Sequence, residues 1–214
     1  MSVPIREQFP KLALRLIPAV VLLGVLAFIS TRFDIAVASC TRDPLAIVDA
    51  PPYLGVLSNL GIILWSAAAA VCLFAFSLLS RRGASGDIRA FVLLGGLISL
   101  LLLLDDLYML HEYFYTRLGI FEKLAFAGYG VLVLVYLIGF RRKIGDTRFV
   151  YLFCALGFFA LSLIIDRLPE TMLPMHHLFE DGSKFLGIVC WLSYQASVCL
   201  QCLEPARSAP ESAG

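Results

Sequence analysis

Long apolar stretches alternate with short polar connectors along the whole chain. Six stretches stand out, at residues 12–30, 54–80, 88–110, 121–140, 149–165 and 185–203. A bilayer's hydrocarbon core is about 30 Å thick and a helix rises about 1.5 Å per residue, so each crossing needs roughly 20 mainly apolar residues. All six stretches qualify, the fifth being the shortest. Their apolar runs are unbroken, as in Ser99-Leu-Leu-Leu-Leu-Leu104, with none of the period-two alternation of barrel strands. The pattern predicts an all-α, polytopic transmembrane bundle of six spans. One domain covers 1–203, and a disordered cytoplasmic tail rich in Ala, Ser, Pro and Glu covers 204–214.

Composition strengthens this reading. Hydrophobic residues make up 60% of the chain, charged residues 15%, and mean hydropathy is +0.87. Soluble domains carry about 45–50% apolar and about 25% charged residues, so a single soluble core cannot absorb the excess. The net charge of +1, with no basic stripe interleaved with aromatics, excludes a nucleic-acid partner. Of the six cysteines, Cys72, Cys154, Cys190, Cys199 and Cys202 fall inside apolar stretches and only Cys40 in a loop, which is no disulfide framework. Cys199 and Cys202 have a CxxC spacing, but within an apolar helix they read as small core residues.

Charge gives the orientation. Arg6, Lys11 and Arg15 precede the first stretch, Arg81, Arg82 and Arg89 lie between the second and third, and Arg141, Arg142, Lys143 and Arg148 lie between the fourth and fifth. With Arg207 these put most basic residues on one side, against Glu7, Asp87, Asp146, Glu204 and Glu211. The other side holds most of the acids and all three histidines. The positive-inside rule then places both termini in the cytoplasm, and an even span number agrees. Residues 36–40, Ala-Val-Ala-Ser-Cys, resemble a signal-peptidase site or lipobox. However, Thr31, Arg32, Phe33 and Asp34 separate it from the apolar core, so the first span is expected to be retained.

The informative residues are the polar ones in or beside the spans. Asp105 and Asp106 follow an unbroken leucine run, and a charge at the centre of a spanning helix costs about 2.5–3.5 kcal/mol on insertion scales, less near the interface. On a continuous helix Asp105 and Glu112, seven apart, share nearly one face with His111 at its edge, while Asp106 turns about 100° away. Asn59, Glu122, Lys123, Asp166, Glu180, Asp181 and Lys184 fall at the same outer level, with His176 and His177 in the loop before the last span. Below Lys184, Gly187, Trp191 and Tyr194 continue one stripe.

Asp105, His111, Glu112, Asp166 and Glu180 are candidate ligands for a divalent metal, because imidazole and carboxylate together suit zinc or iron and carboxylates alone suit Mg²⁺ or Ca²⁺. Asp105 and Glu112 are the candidate catalytic groups. There is no HExxH motif, and His176 and His177 are not an i, i+4 pair. Alternatively Asn59, Asp106, Glu122, Lys123, Asp181 and Lys184 join them in a polar network that only fixes helix packing.

Asp105-Asp-Leu-Tyr-Met-Leu-His-Glu112, then Gly119-Ile-Phe-Glu-Lys123 and Glu180-Asp-Gly-Ser-Lys184 with Gly187 and Trp191, resembles a group of small bacterial multi-pass membrane proteins of unassigned function. The likeness implies a bacterial inner membrane and carries no activity. A looser likeness is to the alkaline ceramidase and adiponectin-receptor superfamily, seven-span zinc hydrolases. Ser99, Asp106 and His111 line up with part of their site, while the paired histidines of their last helix and one span are absent.

These readings converge on an inner-membrane protein whose outer acidic and histidine site binds a cation or a polar headgroup. The alternatives are a metal-dependent hydrolase acting on lipid, and a structural subunit. The partners expected are membrane lipid and a membrane protein or a second copy of the chain.

Overall fold

A computed structural model describes residues 5–119 and 121–204, except for the side chains of residues 5–11, 13, 15, 112, 114, 122 and 123. The expected tail lies outside the described residues from 205 onward, and so do the side chains of Glu112, Glu122 and Lys123. Every described element is helical. Each of the six apolar stretches forms one helix: α1 (Ile5–Phe33), α2 (Val56–Arg81), α3 (Gly86–Tyr108), α4 (Glu122–Gly139), α5 (Val150–Asp166) and α6 (His176–Leu203). Four of them, α1, α2, α3 and α6, are long and apolar enough to cross a membrane; α4 and α5 are shorter apolar helices.

The chain divides into two compact units, Met1–Leu54 and Gly55–Gly214. The first holds α1 and two single-turn helices, Val37–Thr41 and Pro44–Ile47. Ser30 closes α1 by donating its hydroxyl to the Ile35 carbonyl at 2.6 Å, and Asp43 caps the last turn by accepting from the Leu45 and Ala46 amides. Leu16, Val20, Leu23 and Phe28 of α1 are all exposed.

In the second unit, α2 and α3 form an antiparallel hairpin. Gly83 turns the chain with φ +69°, a left-handed conformation that suits glycine at a helix end. The Ala84 amide donates back to the Leu79 carbonyl. Helices α2, α3 and α6 pack on one another, α5 packs on α6 and α4 on α3, and among the described residues no comparable packing joins α4 to α5. The helix ring is therefore open between α4 and α5.

Glycines set the close approaches. A Cβ on Gly95 would stand 2.5 Å from Oε1 of Gln195, one on Gly96 2.9 Å from Cβ of Cys72, and one on Gly187 2.6 Å from the Phe159 ring. Phe159, held on Gly187, stacks on Trp65 at 5.9 Å, and Trp65 meets Trp191 edge-on at 6.2 Å. The stripe predicted below Lys184 is buried at Gly187, Trp191 and Tyr194. The basic connectors gather at one end of this unit: Arg82 donates to the Leu203 carbonyl at 2.9 Å, and Lys143 faces Asp87 at 3.8 Å.

Two helix ends differ from the apolar pattern, and both sit at the opposite end. Helix α3 stops at Tyr108 because Met109 takes φ +47°, so the chain leaves the helical path before His111. Helix α6 starts at His176, nine residues before its apolar stretch, from Met175 at φ +60°. Its first turns are polar, and apolarity does not mark a helix that extends beyond the apolar layer.

Gly95→Ala is expected to lower stability by about 1–3 kcal/mol, because the added methyl overlaps a fully buried Gln195. Gly128→Ala, whose Cβ meets nothing within 4 Å, is expected to be neutral or mildly stabilising. Thermal unfolding of the two variants in one detergent checks the contrast.

Candidate functional site

The two adjacent aspartates at the end of α3 point into different neighbours. Asp105 is 3% exposed, yet each of its oxygens is occupied. Oδ1 accepts from the Tyr129 hydroxyl at 2.7 Å and from the His111 amide at 3.1 Å, while Oδ2 faces His111 Nδ1 at 2.7 Å. The left-handed Met109 makes this possible, since it folds residues 110–114 into a π-type turn that returns His111 toward the carboxylate six residues before it. A non-glycine residue in that conformation costs on the order of 1–3 kcal/mol, which charge-assisted hydrogen bonds at about 1.5–3 kcal/mol each can offset. The His111 ring also packs on Phe126, with centroids 4.9 Å apart.

Asp106 bonds on the other side of α3. Its Oδ2 accepts from the Trp65 indole N–H at 3.0 Å, and its Oδ1 accepts from Lys184 Nζ at 2.7 Å. The first contact ties α3 to α2 and the second ties it to α6. About two turns below, Ser99 accepts from the Trp191 indole at 2.9 Å and donates to the Gly95 carbonyl.

The two aspartates, with Trp65, His111, Tyr129 and Lys184, line a cavity of ≈ 530 Å³ in the gap between α4 and α5. Helix α4 lines it with Phe126, Tyr129, Gly130, Val133, Leu134 and Leu137, a single face at spacings of three and four. Helix α5 answers with Leu156, Phe159, Ala160 and Leu163, likewise mainly one face, and with Ser162 one turn before Asp166 at the polar end. Asp105, Asp106, Asp166, Glu180, Asp181, His111 and Lys184 all lie at the polar end. From Tyr129 to Leu137 the apolar wall runs about 12 Å along the helix. A second cavity of ≈ 40 Å³ between α2 and α6 shares Asp106, Asp181 and Lys184 with the first, so the Asp106–Lys184 pair borders both.

Residues 13–198 match the model of a family described as a domain of unknown function, DUF8692. The chain belongs to that family. No curated protein and no solved structure matches it.

The expected ligand set is distributed around this rim. Asp105 and His111 bind one another. Asp166 pairs with Arg167 at 3.3 Å. Glu180 meets His176 and His177, each through Nδ1 to Oε2 at 3.7 Å. Among the described residues, His176, His177 and Glu180 are the ones whose ligand atoms lie close enough together to share an ion. Of the expected network, Lys184 pairs with Asp106, Asp181 lines both cavities, and Asn59 is exposed in the first turn of α2, outside the linings. Ser99, Asp106 and His111, aligned by the looser likeness, are each bonded to different partners. The continuous-helix argument for Asp105 and Glu112 does not carry past Tyr108, because the backbone turns at Met109.

Sequence reasoning did not find Tyr129 or Trp65 as partners of the aspartates. Both sit in apolar runs with no local cue. The grouping of His176 and His177 with Glu180 had a signal: Glu180 is i+4 from one histidine and i+3 from the other, which puts all three on neighbouring positions of one turn.

Removing one member of the Asp106–Lys184 pair leaves the other partly buried and uncompensated. A double-mutant cycle of Asp106→Asn and Lys184→Met is expected to give a coupling of about 1–3 kcal/mol in thermal or denaturant unfolding. A coupling near zero would mean that the half-exposed lysine is held by water rather than by Asp106.

Proposed function

We propose that this is an integral membrane protein of six spans, with both termini cytoplasmic, in a bacterial inner membrane. Its cavity takes one membrane amphiphile, with the tail along α4 and α5 and a positively charged head at the acidic rim. The observation that carries this reading is the ≈ 530 Å³ cavity itself, apolar along its length and acidic at one end, placed where the helix ring is not closed. Its size falls within the roughly 300–1,000 Å³ of small-molecule sites.

The separation of charge within the second unit supports this orientation. The Arg82 and Lys143 contacts lie at one end and the Asp105–Asp106 cluster at the other, which fits a basic cytoplasmic face and an acidic outer face. Helices α4 and α5, with 18 and 17 residues, sit at the short end of what crosses a bilayer. Helix α6, with 28 residues, measures about 42 Å, longer than the roughly 30 Å of hydrocarbon, which supports polar first turns at the headgroup level.

Charge selects the head. Asp105 and Asp106 have their donors within the protein, but Asp166, Glu180 and Asp181 add three more carboxylates to the rim. Against these five acids stand Lys184, Arg167 on Asp166 and, when protonated, His111, His176 and His177, so the permanent charges leave the rim acidic. An ammonium head gains from that balance and a sulfate or carboxylate head loses. Asp106 and Lys184, already bonded to each other, fix the floor of the head site rather than compete for it.

Trp65 lines the cavity and is one of two tryptophans, so Trp191→Phe leaves it as the sole indole emitter. A chain-brominated alkylammonium is expected to quench its fluorescence saturably, at a concentration at least about tenfold lower than the alkyl sulfate of equal length, as ~1.4 kcal/mol of charge preference requires. Ala160→Phe, placed in the exposed cavity wall, is expected to weaken this quenching with unfolding unchanged. Equal quenching by both heads, or indifference to Ala160→Phe, would remove the proposal.

A further inference from the structure

The first turn of α6 carries an arrangement that the aspartate cluster does not use. His176 is 7% exposed, and its Nε2 lies 2.9 Å from the Ile165 carbonyl oxygen. A carbonyl only accepts, so that nitrogen carries the proton and Nδ1 of the neutral ring holds a lone pair. This Nδ1 is buried and has no hydrogen-bond partner. It faces Glu180 Oε2 at 3.7 Å, too far for a hydrogen bond.

His177 approaches the same oxygen from the other side. Its Nδ1 is also 3.7 Å from Glu180 Oε2, and its Nε2 lies 3.9 Å from Glu170 Oε1. The ligand atoms of His176, His177 and Glu180 all fall within 4.8 Å of one another. Tetrahedral ligands at about 2.0–2.1 Å from zinc stand about 3.3 Å apart, so small side-chain movements bring these three to coordinating distance. His177 Nε2 stays 3.9 Å from Glu170 Oε1, beyond hydrogen-bond reach, but His176 directs its far nitrogen at an oxygen within reach, the Ile165 carbonyl. Metal-bound histidines commonly do this, because an acceptor on the distal N–H orients the ring and raises its basicity.

We propose that His176, His177 and Glu180 form a binding site for a divalent transition-metal ion of the zinc class, at the polar rim of the cavity. Two imidazoles with one carboxylate favour such an ion over Mg²⁺ or Ca²⁺, which take oxygen ligands. The positive end of α6 opposes a cation here. Glu180 as ligand, with Asp166, Asp181 and Glu170 nearby, offsets that charge. Three protein ligands leave a fourth position for water or another group. The site shares Glu180 with the cavity rim, so a bound zinc ion withdraws that carboxylate from the balance that favours an ammonium head; its own ligands are protein atoms alone, and its test needs no amphiphile.

The test is zinc titration of the full chain purified in detergent, followed by calorimetry, with Co²⁺ uptake read by visible absorption. Saturable binding of one Zn²⁺ per chain is expected, with Mg²⁺ ineffective. His177→Ala alters a 73%-exposed side chain and so tests the site without threatening the fold; it is expected to lower affinity at least about tenfold. Glu180→Gln is expected to do the same and to abolish the Co²⁺ bands. Asp87→Asn, at the opposite end of the unit on an 86%-exposed side chain, is expected to leave zinc binding unchanged. No saturable zinc binding by the wild type, or wild-type affinity in His177→Ala, would overturn the proposal. Quenching of Trp65 by alkylammonium is measured without metal, so failure of either proposal leaves the other standing.

Discussion

Two neighbouring carboxylates at the end of a leucine-rich helix must each find donors, and the second unit of this protein is arranged around that need. Adjacent residues on a helix diverge by about 100°, so Asp105 and Asp106 cannot share partners. Asp105 draws in Tyr129 from α4 and His111 from the turn after its own helix. Asp106 draws in Trp65 from α2 and Lys184 from α6. Four segments are thereby pinned to α3 at one level. In an apolar surrounding an unpartnered carboxylate would cost several kcal/mol, which is why the left-handed Met109 is tolerated: it returns His111 to the acid.

The opposite requirement governs the rest of the interface. Glycines at 95, 96 and 187 let helices and rings approach within contact distance, and the Trp65–Phe159–Trp191 group packs directly beneath the Asp106 pair. Close packing of α2, α3, α5 and α6 contrasts with the gap between α4 and α5. Their facing side chains are mainly apolar, and among the described residues none fills the space between them, while the acids collect at one end. A cavity of this kind is amphiphilic by construction, and that property links the fold to the proposed ligand.

The histidine turn adds a second kind of chemistry at the same rim. Both aspartates are satisfied by internal donors, whereas His176 keeps a buried lone pair with no donor to receive. Satisfied groups hold structure; an unsatisfied one facing a carboxylate and a second imidazole has capacity for a ligand. The aspartates therefore frame the rim, and the histidine turn carries the proposed metal site.

The six apolar stretches determined the helices, because continuous hydrophobicity over 17 or more residues leaves few other solutions for the backbone. Charge along the chain separated a basic end from an acidic one, and the bonds of Arg82 and Lys143 at one end and of Asp106 at the other follow that separation. The divergence of Asp105 and Asp106 was also legible, since it depends only on helical pitch. The partners were not. Tyr129 and Trp65 lie 24 and 41 residues from the acids they serve, and only the packing of α4 and α2 against α3 selects them from other aromatics in similar runs. The turn at Met109 and the early start of α6 were hidden for a related reason: each depends on a left-handed methionine stabilised by contacts formed afterward. The cavity, finally, belongs to no sequence segment. It exists because α4 and α5 do not close on one another, and local pattern carries no record of a contact that is not made.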